Sequence, residues 1–267
     1  MASQERGTAI VTGAARGIGK SIALRLAQDG YDLCINGKIM PLPPASLVLV
    51  NPPAADIPAN KAGIDETVSE IQKLGRKAYG HAADVSVRSE VETMVEACVK
   101  ELGPLNTMIA NAGIAQVKPV LDLSEDDVRR MFEVNVYGAF NCYSVAAKQM
   151  IKQGSGGKIL GASSIVGKKP FPMLAHYSAS KFALRGFTQA FAMEMAPHKI
   201  TVNSYAPGIV GTAMWDLIDE ELGKTSGAKK GETIKKYTDE MISLGRTSVP
   251  EDVSKVTIIV DGGIIFT

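Results

Sequence analysis

Residues 8–19 read TAIVTGAARGIG, and this stretch decides the fold. TAIVT is a short run rich in β-branched residues and an amphipathic segment follows at 18–28, a pattern that predicts strand, tight turn and helix. Gly13 permits the turn, Gly17 lets backbone approach a pyrophosphate, and Gly19 allows the helix to pack closely on the strand. Ile18 lies in the first turn of that helix, whose unpaired N–H groups and positive dipole end face any bound phosphate. Glycine-rich turns also occur without ligands, but a turn that closes the first strand and opens the first helix has the context of a dinucleotide site.

Outward from this unit the same rhythm repeats. Apolar runs at 31–36, 78–83, 107–110, 158–162 and 200–205 predict strands, and the segments at 65–74 and 87–102 have helical periodicity. Strands alternating with helices predict an α/β fold: a Rossmann-like, doubly wound parallel sheet with helices on both faces, one domain over 1–267. Two places break the rhythm. Residues 37–55 hold five prolines and no clean period, an insert whose composition is what an unspliced intron could encode. After Pro250 a helix is expected at Glu251-Asp252, yet the strand-like VTIIV begins at Val256, too soon for a full crossover.

Composition narrows the function. The chain has 267 residues, 45% hydrophobic and 21% charged, with a formal net charge of +1. That balance gives no field for nucleic acid or an anionic membrane, and no apolar run is long enough to span a bilayer. The Lys-rich stretch 224–236 reads as a solvated surface. Cys34, Cys98 and Cys142 lie far apart without metal-ligand spacing, which predicts buried free thiols, a reducing compartment and no metal site. The expected location is cytoplasmic.

In open α/β sheets ligands bind beyond the carboxyl ends of the strands. After the third strand come Asp84 and Val85, placed to touch an adenine ring by hydrogen bond and apolar contact. After the fourth come Asn111, Ala112 and Gly113, small enough for backbone to crowd a cofactor; after the fifth, Ser163 and Ser164; after the sixth, Pro207, Gly208 and Ile209. Each is ordinary turn chemistry alone, but together they line one edge of the predicted sheet.

Tyr177 and Lys181, in YSASK, lie four apart and therefore on one helix face. A tyrosine hydroxyl titrates near about 10, too high for efficient acid/base work at neutral pH, and a lysine ammonium and a nicotinamidium nearby are expected to favour the phenolate and lower it. Ser164 can hold a substrate carbonyl against that hydroxyl. No side chain supplies a hydride, so such a site needs a redox cofactor.

These motifs resemble the short-chain dehydrogenase/reductase family over nearly the whole chain: TGAARGIG its cofactor turn, NAG at Asn111 its structural signature, and YSASK its active-site motif. The resemblance implies an NAD(P)-dependent oxidoreductase with Ser164, Tyr177 and Lys181 as the catalytic group. It adds Asn135, in VNVYG, as part of a proton relay through Lys181, and Val210 and Thr212 beside Pro207 and Gly208 as cofactor contacts. PGIVGTAMWDLID (207–219), HYSASKFALRGFTQ and the ending DGGIIFT are most similar to acetoin/diacetyl reductases, also called 2,3-butanediol dehydrogenases. That implies a small ketone or diketone substrate, a lid over about 211–245, Met214 and Trp215 walling an apolar pocket, and a homo-oligomer. Rival substrates are a 3-oxoacyl thioester or a sugar-derived ketone. A rival of another class, a silent cofactor sensor, has no need of intact Ser164, Tyr177 and Lys181.

The cofactor signals conflict. Arg16, just before Gly17, can pair with a 2′-phosphate and favours NADP(H). An acid ending strand two would favour NAD(H); joining Asn36 to Asp56 would restore IND-IPANKAG, but Gly37-Lys38 stands in that place. Resemblance, with Asp56 as the cofactor contact, tips the expectation towards NAD(H).

Overall fold

The computed structural model describes residues 6–38 and 61–255. Asp56, the insert beyond Lys38 and the VTIIV run at 256–260 lie outside the described residues.

Among the described residues six strands form one parallel sheet in the order β3-β2-β1-β4-β5-β6. They are β1 (Gly7–Val11), β2 (Tyr31–Gly37), β3 (Ala78–Ala82), β4 (Leu105–Ala110), β5 (Gly157–Ala162) and β6 (Ile200–Tyr205). Between them run α1 (Gly17–Gln28), α2 (Lys61–Lys73), α3 (Arg88–Leu102), α4 (Glu125–Phe132), α5 (Ala139–Gln153) and α6 (Ala175–Met195). α7 (Ala213–Ser226), α8 (Glu232–Met241) and α9 (Pro250–Ser254) follow β6. This is the doubly wound parallel sheet that the strand–helix alternation predicts.

The apolar runs are continuous because both faces of the sheet are covered. Side chains alternate across it. Ala9, Val11, Leu33 and Ile35 pack with Ile64 and Ile71 of α2 and with α1 on one face. Ile10, Cys34, Met108 and Ile159 pack with α3, α5 and α6 on the other. Each fully buried side chain of this size contributes about 1.5–3 kcal/mol. All three cysteines are free and buried in the second layer.

Two boundaries differ from the sequence expectation. β2 continues through Gly37, which pairs with Ala82, because the parallel ladder to β3 carries it one residue past the apolar run. α2 begins at Lys61, before the periodic part of its sequence. α9 after Pro250 is only five residues long and docks on α1, with the Ser254 and Ser21 hydroxyls 3.0 Å apart. Among the described residues no helix is long and apolar enough to cross a membrane.

Candidate active site

The strand order reverses between β1 and β4, and a cavity of about 510 Å³ opens beyond the carboxyl ends at that switch point. One end is built by the β1–α1 turn. Gly13, Arg16, Gly17, Ile18 and Gly19 all line it. Arg16, the N-cap of α1, makes no side-chain cap bond, which leaves the first helical N–H groups facing the cavity. A Cβ on Gly19 would collide with the Gly13 carbonyl and stand 2.5 Å from the Asn111 amide, so only glycine lets the turn close. Asn111 locks it from the neighbouring strand: its Nδ2 donates to the Thr12 and Gly13 carbonyls at 2.9 and 3.2 Å.

Asn36, fully buried at the end of β2, donates Nδ2 to the His81 and Ala83 carbonyls, and this turns its Oδ1 away as an acceptor with no partner. The cradle of free N–H groups, a glycine that admits no Cβ and an orphaned buried acceptor fit a dinucleotide. Lys38 lines the same end and pairs with Asp84 at 2.7 Å. Asp84 also accepts from Ser86 N and Oγ at 3.0 and 2.7 Å, and these partners together hold it below the usual carboxylate range. The carboxylate expected to reach an adenine is therefore already engaged. Val85, Ala112 and Gly113 complete this part of the lining.

At the other end, Ser164 follows β5 and Tyr177 lies in the first turn of α6. The Ser164 Oγ lies 3.3 Å from Val166 N, from which it accepts, and 3.5 Å from the Pro207 carbonyl. Both Ser164 and Tyr177 line the cavity. Ser163 points back towards the Lys181 carbonyl, to which its Oγ donates at 3.4 Å. Lys181 is buried; its Nζ donates to the Ala162 carbonyl at 2.7 Å and stands 5.5 Å from the centre of the Tyr177 ring.

Burial governs the titration of the pair. Burial pushes the Tyr177 hydroxyl up to about 12, with the Ser164 bond acting in the opposite direction. Burial also lowers the Lys181 ammonium to about 8. Within the protein alone desolvation governs both groups, with Lys181 Nζ donating to the Ala162 carbonyl and standing off the ring.

Asn135 does not line the cavity. It sits in a π turn, Glu133–Gly138, between α4 and α5, where its Oδ1 accepts from Ile114 N at 2.8 Å and its Nδ2 donates to the Ile114 carbonyl at 2.9 Å. Gly113 lies between it and the lysine: a Cβ there would be 3.1 Å from Asn135 Oδ1 and 3.5 Å from Lys181 Nζ. The kinked helix thus brings the asparagine close to the lysine without exposing it.

Pro207, Gly208, Val210, Thr212, Met214 and Trp215 also line the cavity. The base of α7 is pinned by Gly211 N donating to the Ser248 carbonyl at 2.8 Å, and α8 hangs on the buried Asp219 carboxylate through Gly231 N and Ile234 N. Several other lining residues carry no signal in the sequence: Arg130 and Val134 on α4 and its π turn, Phe171 and Leu174 before α6, and Met241 at the end of α8. Tyr205 was legible in principle, as the last residue of a strand on the site edge; its hydroxyl donates to Asn111 Oδ1 at 2.8 Å.

This fold and this edge of the sheet define a class, the nucleotide-binding dehydrogenases, and sequence comparison defines the family. The family model described as short chain dehydrogenase matches residues 54–223. The L-2,3-butanediol dehydrogenase of Corynebacterium glutamicum is 38% identical over 97% of this chain and 98% of its own. The carveol dehydrogenase of Mycobacterium avium, solved in complex with NAD, superposes with a TM-score of 0.83 at 26% identity, over 95% of this chain and 90% of its own. A point variant of the actinorhodin polyketide ketoreductase, solved with NADPH, gives 0.82 at 29%, over 95% and 89%. The chain belongs to the short-chain dehydrogenase family and is an oxidoreductase acting on CH–OH groups with a nicotinamide cofactor.

Proposed function

We propose that the enzyme reduces a small ketone or diketone of the acetoin/diacetyl kind, with Tyr177 as the proton donor. The observation that carries this reading is that Ser164 and Tyr177 both stand on the wall of the cavity that begins at the phosphate turn. Ser164 holds the substrate carbonyl oxygen; Tyr177, protonated at neutral pH, gives its hydroxyl proton to that oxygen as charge develops there. Lys181, as the ammonium, stabilises the phenolate left behind, and Asn135 belongs to the proton path that refills Tyr177 through Lys181. A bound nicotinamide dinucleotide supplies the hydride. Met214 and Trp215 wall the substrate end with apolar surface, which suits a short carbon chain without charge. The butanediol dehydrogenase relative supports the same substrate class.

The resemblance favours NAD(H) through Asp56, but the described residues at the adenosine end support NADP(H). Arg16 lines this end of the cavity, is exposed and has no acidic partner among them, so its guanidinium is available to an anion. Lys38 stands on the same edge. A homo-oligomer in the cytoplasm completes the reading. It is tested by following NADH and NADPH oxidation across a panel of ketones, 3-oxoacyl thioesters and keto-sugars. Diacetyl and acetoin should turn over best with NADPH; a clear preference for a thioester or a sugar overturns the substrate assignment.

A further inference from the structure

We infer that His176 is a positioning residue: its bond to Gln116 holds the first turn of α6, and with it Tyr177, against the segment that walls the substrate end of the cavity. Nothing in the reduction chemistry uses His176, yet it is buried immediately before Tyr177, 3% exposed, with Nε2 2.9 Å from Gln116 Oε1. The direction of that bond is fixed from the far end. Lys118 Nζ, at 2.7 Å, and the Ser124 backbone N–H, at 2.9 Å, hold the Asp127 carboxylate ionised. A carboxylate only accepts, so Gln116 Nε2 donates to Asp127 Oδ1 at 2.8 Å. Gln116 Oε1 is therefore the acceptor towards the histidine, and His176 must carry its proton on Nε2. Its Nδ1 is left as a buried acceptor without a partner, a cost that a residue present only to fill space would not impose.

The chain of bonds starts at the N-cap of α4 and ends one residue before Tyr177. A second tie runs parallel to it: Lys118 N donates to the Met173 carbonyl at 2.9 Å. Met173 itself is held at a φ of 62°, a conformation uncommon for a residue with a side chain. Ile114 and Ala115, just before Gln116, line the cavity, and Asn135 fixes Ile114 from the opposite side. The His176–Gln116 bond thus sets the gap between the acid hydroxyl and the wall against which a substrate rests. A displacement of about 1 Å in such a gap is enough to cost a hundredfold in rate.

The inference rests on Tyr177 acting as the proton donor, and the test separates the two. His176→Phe keeps the volume and removes the donor; His176→Gln restores an N–H near the position of Nε2. For carbonyl reduction we expect kcat/KM to fall about ten- to hundredfold in the Phe variant, carried mostly by kcat, and to recover in the Gln variant. Cofactor binding, at the other end of the cavity, should not change in either. The second readout needs no substrate. With three histidines in the chain, long-range proton–nitrogen correlation spectra of histidine-labelled wild-type protein will resolve the His176 ring, which should carry its proton on Nε2. A Phe variant that keeps wild-type kcat/KM, a Gln variant no better than Phe, or a ring protonated on Nδ1 overturns the inference. Wild-type protein inactive towards every ketone while His176 keeps its Nε2 proton would count against the function reading instead.

Discussion

The Lys38 ammonium stands 2.7 Å from the Asp84 carboxylate and joins the ends of β2 and β3 at the mouth of the cofactor cavity. The pairing satisfies Lys38 within the protein, whereas Arg16, at the same end of the cavity, has no acidic partner among the described residues. Arg16→Ala should weaken NADPH binding selectively, by about 1.5–3 kcal/mol for a charged hydrogen bond. Titration calorimetry with both dinucleotides checks this. Equal losses for NADH and NADPH would mean that Arg16 contacts the shared pyrophosphate or packs on the adenine.

Removing residues 37–55 joins Asn36 to Asp56 and exchanges Gly37-Lys38 for an acid at the strand end. A carboxylate there binds ribose hydroxyls and repels a 2′-phosphate, so the shortened chain should shift towards NADH. It should also melt higher, since the chain joining β2 to α2 is shorter and loses its proline-rich part. A shortened protein with the parent's dinucleotide preference and melting temperature would make the insert a genuine surface loop.

The pH dependence follows from Lys181. Burial brings its ammonium from 10.5 to about 8, while Tyr177 at about 12 stays a phenol across the working range. Ketone reduction that depends on the ammonium should hold its kcat/KM below about pH 8 and lose it as the pH rises through that value. Stability should move the other way. Between about 8 and 10.5 the unfolded chain binds the lysine proton more tightly than the folded one, so folding is favoured as the pH rises across that window. A reduction profile flat to pH 10 would remove Lys181 from the mechanism.

Much of this was legible in the sequence because it is local. TGAARGIG places a turn between β1 and α1 by glycine chemistry alone, and a four-residue spacing puts Tyr177 and Lys181 on one face of α6. The residues after each strand reach the same cavity because a parallel sheet sends all its carboxyl ends to one edge. What was not legible depends on pairing across long separations. Arg130 and Phe171 meet the cavity from different elements, and no periodicity marks them. The His176–Gln116 bond joins residues sixty positions apart. Spacing likewise reports that a cation is near Tyr177, but not how much water has been excluded from both groups.

The central claim is that Tyr177 gives the proton to the carbonyl oxygen, and one substitution tests it most directly. Tyr177→Phe keeps the ring and its packing and removes only the hydroxyl that faces Ser164. Single-turnover reduction of diacetyl by this variant, beside a calorimetric titration of the cofactor, should give loss of turnover by several orders of magnitude with dinucleotide affinity close to that of the parent. Turnover within about tenfold of the parent, at undiminished cofactor affinity, would contradict the account, because general acid catalysis by a positioned group contributes more than that.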